Sequence, residues 1–213
     1  MASRLMHLAV ADEILKKENI EDIGRFRLGC ILPDARIDSA LRDAPHFQTY
    51  LPDGMVTCSL KSFLEHFGAK MAEDDLYLGY YMHLIQDMVY RRYMYLLPDW
   101  DARIPENIRK LHSDYRKINR YIIDGRALEN GISAPPDFEN EAINQMFGFD
   151  IEAFLEELDM DFRIVREGSC EVFTPKMAED FFALATKACL HELRSLREGL
   201  PLCDETKMCW GKE

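Results

Sequence analysis

Leu76-Tyr77-Leu78-Gly79-Tyr80-Tyr81-Met82-His83-Leu84-Ile85-Gln86-Asp87-Met88-Val89-Tyr90 is the stretch around which the rest of the chain is organised. Its pattern predicts one helix from about Asp74 to Leu97, opened by the acids Glu73-Asp74-Asp75 at its positive end. Leu78, Tyr81, Met82, Ile85 and Val89 mark one side, and Leu76, Tyr80, Tyr90 and Met94 mark another. A helix apolar nearly all round is a buried one. His83 and Asp87 sit in its middle, one turn apart on the same face. An unpaired carboxylate there costs on the order of several kcal/mol or protonates. Two readings meet the cost: a bound cation, for which imidazole and carboxylate are both ligands, or a plain buried His–Asp hydrogen bond.

N-terminal to this stretch, a first helix is expected over roughly Ser3 to Lys17. His7 points where Val10, Ala11 and Ile14 point, as a core histidine or as a ligand. Asn19 to Arg25 read as a break, and Phe26 to Leu32 as an apolar segment running into Pro33-Asp34. Asp34 reads locally as a turn or capping residue. Residues 36 to 60 form a long irregular excursion carrying Asp43, His46 beside Pro45 and Phe47, and a turn at Asp53-Gly54. A helix from Leu60 to about Met71 follows.

Past the central stretch, Pro98-Asp99-Trp100-Asp101 reads as a turn and Pro105 opens a helix to about Ile123, with Asp114, Ile118 and Tyr121 on one face. Asp150 caps a helix to about Leu158. Phe162 to Val165 and Cys170 to Phe173, around Arg166-Glu167-Gly168-Ser169, read as a small β-hairpin. Thr174-Pro175 starts a last helix ending at Gly199, on which His191 is a surface residue.

Composition bounds the function. The 213 residues bury a substantial core as one domain, and 47% hydrophobic with 30% charged residues is an ordinary globular mixture. A formal charge of -12 argues against a nucleic-acid backbone or an anionic membrane as main partner. No apolar run approaches the roughly 20 residues of a membrane span, and no leader pattern opens the chain, so the expectation is a cytoplasmic protein. The six cysteines include no CxxC pair and read as reduced thiols.

Taken in order, four segments resemble the successive motifs of the zinc-dependent phospholipase C family. They are Arg4-Leu5-Met6-His7-Leu8-Ala9-Val10-Ala11, Leu28-Gly29-Cys30-Ile31-Leu32-Pro33-Asp34-Ala35, His46-Phe47 and Leu76 through Asp87. Asp114-Tyr115 with Asn119 resembles a feature of leaderless members, so the likeness spans mainly residues 4 to 124. It implies a nearly all-helical fold with a zinc cluster in a cleft. It also implies that Asp34, His46 and His83 bind one ion, with Asp87 shared between that ion and another held by His7. The chain departs from the pattern too. Secreted members complete the His7-type site with an N-terminal Trp, and here the first Trp is Trp100. Their further metal site needs two His and a Glu, whereas Tyr93 stands near one such place and His112 is followed four residues on by Arg116. One or two ions are therefore expected, with Asp114 or water completing the second.

The expectation is a mainly α, single-domain helical bundle over residues 1–213 around a metal cleft. It would act as a metal-dependent phosphoesterase holding Zn2+ or another divalent ion. Asp34 or Asp87 would orient the attacking water, and Arg91 would meet the phosphate of a small phosphorylated substrate or else pair with an acid. The HD-type phosphohydrolases are a rival, but no His-Asp dipeptide occurs. The rival of another class is a non-catalytic binding protein with a structural metal or a plain His–Asp pair.

Overall fold

Chain order in the computed structural model, which describes residues 2–37, 44–98, 100–164 and 166–211, runs α1 (Arg4–Leu15), α2 (Ile23–Gly29), β1 (Gln48–Tyr50), β2 (Val56–Cys58), α3 (Leu60–Met71), α4 (Asp75–Tyr95), α5 (Pro105–Arg126), α6 (Ala142–Phe147), α7 (Ile151–Arg163) and α8 (Pro175–Glu198). The protein is mainly α, and its one sheet among the described residues is the antiparallel pair β1–β2. No helix of the described residues is long and apolar enough to cross a membrane.

The central stretch is the spine. Every residue from Gly79 to Tyr90 is buried, because α4 is covered by α2, α3 and α8 together. The α2 crossing is the tightest. A Cβ on Gly29 would fall 2.1 Å from the Leu76 carbonyl oxygen, and one on Gly79 would fall 2.1 Å from that of Phe26. Only two glycines let these backbones touch. The acids opening α4 then pin the pair: Asp74 accepts from the Leu76 amide at 2.9 Å and from Arg25 Nε at 2.7 Å, while Asp75 accepts from the Asp22 amide at 2.7 Å. On the opposite side, Tyr81 donates to Glu192 of α8 at 2.7 Å. One contiguous apolar core draws residues from all eight helices.

Several elements differ from the sequence expectation. Residues 23–29, read as part break and part apolar segment, are α2, whose cap Asp22 accepts from the Arg25 amide at 2.9 Å. Seven residues give less than two turns of periodicity, and Gly24 and Gly29 weaken the helical signal further. The hairpin expected near 162–173 is absent among the described residues. Phe162 and Arg163 are the last turn of α7. The amides of Glu171, Val172 and Phe173, which a hairpin would need, all donate to one oxygen of Asp114. The β-hairpin lies instead within the excursion read as irregular, closed by the expected Asp53-Gly54 turn with Gly54 at φ 81°. Asp43, Asp99 and Val165 lie outside the described residues. All six cysteines are free thiols.

Candidate metal centre

Four parts of the chain deliver five ligand-type side chains to one place in the core. His7 comes from α1, whose cap Ser3 accepts from the Met6 amide. Asp34 ends a single 3-10 turn, Leu32–Asp34, and His46 ends another, Ala44–His46. His83 and Asp87 project from one face of α4. His7 Nε2 lies 3.5 Å from Asp87 Oδ1 and 3.9 Å from Asp34 Oδ2. His46 Nε2 lies 3.3 Å from Asp34 Oδ1 and 3.7 Å from Asp87 Oδ2. The His7 and His83 rings stack at 4.1 Å, and His46 and His83 stand 5.3 Å apart. Two donors on one zinc, with bonds of about 2.0–2.2 Å, lie roughly 3.3–3.6 Å apart in tetrahedral geometry. The 3.3 and 3.5 Å spacings fall in that range, and two sets, His7 with His83 and Asp87, and Asp34 with His46 and His83, each bring three ligand atoms within 4.8 Å of one another.

The hydrogen bonds behind the imidazoles aim them. His83 Nδ1 donates to the Cys30 carbonyl at 2.8 Å, a carbonyl held in place by the α2–α4 crossing. His7 Nδ1 lies 3.0 Å from Gln86 Oε1, which accepts its proton. Each ring is left with its Nε2 lone pair facing the cluster, the outer arrangement usual for metal-bound histidine. The consequence is unusual for a core. His7 Nε2, His83 Nε2 and Asp87 Oδ2 are all buried without a hydrogen-bond partner. Orphaned buried acceptors are rare and costly, and three at one point fit a cation that all of them face.

His46 is held from outside. Tyr80 donates to the Pro45 carbonyl at 2.6 Å. Phe47, at φ 51°, sits edge-on to Phe63, Tyr80 and Phe147. A left-handed backbone is unfavourable for phenylalanine and persists here because the aromatic box fixes its ring.

Electrostatics follow from burial and the mixed charges. Burial pushes the His83 imidazole down to about 3, so it stays neutral. Burial acts the same way on His7, but Asp87 and Asp34 outweigh it and raise its pKa. Burial alone would raise both carboxyls. The hydrogen bond from His46 and the nearby imidazoles instead hold Asp34 at about 2, while the charge of the chain's amino terminus, then His7 and the other imidazoles, hold Asp87 well below its usual value.

Of the residues expected from sequence, His7, Asp34, His46, His83 and Asp87 are brought together, and Asp114 is not. Asp114 is buried elsewhere, its Oδ2 accepting three backbone amides at 2.6 to 3.0 Å and its Oδ1 accepting from Lys117 at 3.0 Å. That carboxylate is an anchor for residues 171–173, with its lone pairs already engaged. Arg91 stacks its guanidinium 5.0 Å from the Trp210 ring centroid, a cation–π contact absent from the sequence reading. Gln86 and the Cys30 carbonyl were missed as well. Gln86 carried a signal, being a third polar residue on a helix otherwise apolar in its middle. The carbonyl carried none. No family model, curated protein or solved structure matches the chain, so the likeness to zinc-dependent phospholipases C rests on these residues and their order.

Proposed function

We propose that this protein is a divalent-metal-dependent hydrolase of phosphate esters, with His7, Asp34, His46, His83 and Asp87 holding zinc. The observation that carries the reading is the convergence of the three orphaned acceptors, His7 Nε2, His83 Nε2 and Asp87 Oδ2, in the core. Zinc bound there would supply a Lewis acid for a phosphoryl oxygen and lower the pKa of a coordinated water from 15.7 toward about 7. The chain's own groups do the rest. Asp34 has the most exposed side chain of the five, at 8%, and stays ionised, so it is placed to orient water and accept its proton. Asp87, at 1%, serves as ligand and counter-charge. Two carboxylates balance one divalent ion, and a second ion would leave a surplus that the charge of a phosphate ester offsets.

A structural metal in a non-catalytic protein is the second reading, and one observation favours it: the side chains of His7 and His83 are wholly buried. Elemental analysis with phosphomonoester and phosphodiester assays separates the two. The hydrolase reading expects bound divalent metal and metal-dependent turnover, both lost in His83→Ala and Asp87→Ala. Metal that stabilises without turnover supports the structural reading. Stability indifferent to added zinc, with no metal retained, overturns both.

A further inference from the structure

Two arginines flank the cluster in sequence and meet on one acid in space. Arg4 lies three residues before His7, one turn away on the same side of α1. The start of α1 abuts the cluster, since the Ala2 amide donates to Asp87 Oδ1 at 3.3 Å. Arg36 follows Asp34 by two residues, and its carbonyl accepts from the amide of Asp150, the cap of α7, at 3.0 Å. Helix α7 then takes hold of both arginines. Glu157 Oε2 accepts from Arg4 Nη1 at 2.8 Å, and its Oε1 pairs with Arg36. Arg4 Nε donates in addition to Asp161 Oδ2 at 2.7 Å, and its guanidinium lies 5.6 Å from the ring centroid of Phe154. Burial works against the Arg4 charge, but Asp161, Glu157 and then Asp34 sustain it and raise its pKa.

From this placement we infer that Arg4 is the residue that recognises the phosphate, and that the substrate is a phosphomonoester whose dianion takes the place of Glu157 and Asp161. The inference rests on the hydrolase reading above and names its substrate class. Arg91, expected from sequence in this role, is stacked on Trp210. Charge sets the class. Glu157 and Asp161 present Arg4 with two negative charges, and a monoester dianion carries two on one group, with three terminal oxygens for arginine and metal to share. A diester carries one charge and two such oxygens, too few to displace both acids. The exchange costs little, because ion pairs whose side chains are 19% to 27% exposed add little stability. Glu157 also holds Arg36, so its release frees a second cation at the same rim.

Two variants that break the same ion pair from opposite ends test the inference. Calorimetry on zinc-loaded protein would follow inorganic phosphate, at a pH where it is a dianion, and dimethyl phosphate as the diester-like monoanion. Wild type should bind phosphate the more tightly. Arg4→Gln should weaken phosphate at least about 10-fold, the effect of one charged hydrogen bond, with zinc content and dimethyl phosphate binding little changed. Glu157→Gln removes the competitor and should tighten phosphate about 2- to 5-fold. A purely structural ion pair would instead shift both variants in the same direction. That result, or Arg4→Gln binding phosphate as wild type does, overturns the inference. Zinc-loaded wild type that does not prefer phosphate overturns it while leaving the metal reading intact, and wild type that holds no zinc overturns both. The wild-type preference and Glu157→Gln decide the matter even if Arg4→Gln folds poorly.

Discussion

Gln86 holds the His7 ring by its Nδ1 proton and leaves Nε2 facing the carboxylates. Removing that acceptor frees the ring to turn or to change tautomer. Gln86→Leu should therefore weaken metal binding about 10- to 100-fold, while Gln86→Glu, which keeps an acceptor, should retain most of it. Competition against a chelating dye measures both, and equal losses would show that Gln86 only fills space. A second residue-scale consequence concerns pH. The folded pKa of His83 is about 3 against an ordinary value of 6.5, so between those limits the unfolded chain binds a proton that the native state refuses. Stability of the metal-free protein should fall on acidification from about 6.5 toward 3, at up to about 1.4 kcal/mol per pH unit for this one group. His7 has the opposite sign. Its raised pKa contributes stability that is complete below about 6.5 and fades as the pH climbs through the folded value. Thermal melts of chelator-treated protein should thus lose stability below about 6.5, and His83→Gln should flatten that slope. An unchanged slope in the variant would refute the assignment. At this scale much was legible. The pair His83 and Asp87 stood out because an imidazole and a carboxylate are costly in the middle of a buried helix. Asp34 and His46 were ambiguous on local grounds, and only the order of motifs placed them. Asp114 was misread because its three amide partners lie 57 to 59 residues away, beyond any local pattern.

Among the elements, α4 and α8 declared themselves through long periodicity and plain caps, whereas α2 did not. Its function is nonetheless large, because it brings the Cys30 carbonyl to His83. Gly79→Ala would set a methyl group 2.1 Å from the Phe26 carbonyl oxygen, inside both backbones, so α2 must move as a body. The cost should reach or exceed the ~1–3 kcal/mol typical of overpacking, and metal affinity should fall with it as the Cys30 carbonyl is displaced. Denaturant titration with and without zinc checks this. A Gly79→Ala protein of native stability would mean that the crossing yields more easily than its geometry implies. The strand wrongly expected at 170–173 has a physical cause. Periodicity proposes which residues are able to pair, but three backbone amides already bound by a distant carboxylate have nothing left to offer a strand.

Over the whole molecule, the mainly α architecture was readable because helical periods persist along most of the chain. The site's enclosure was not, since burial is a property of the assembled core. Side chains between 0% and 8% exposed would leave an ion they held, and any substrate, little room to pass without a local opening of the protein. Escape of the ion would then wait on that opening, whose rate the protein alone sets. Above a modest excess of chelator, the rate of metal loss should become independent of chelator concentration and equal the rate of that opening. A rate that keeps rising in proportion to chelator would reveal direct access to the site. The burial of these side chains would therefore make the residence time of a bound ion a clock for the breathing of the fold.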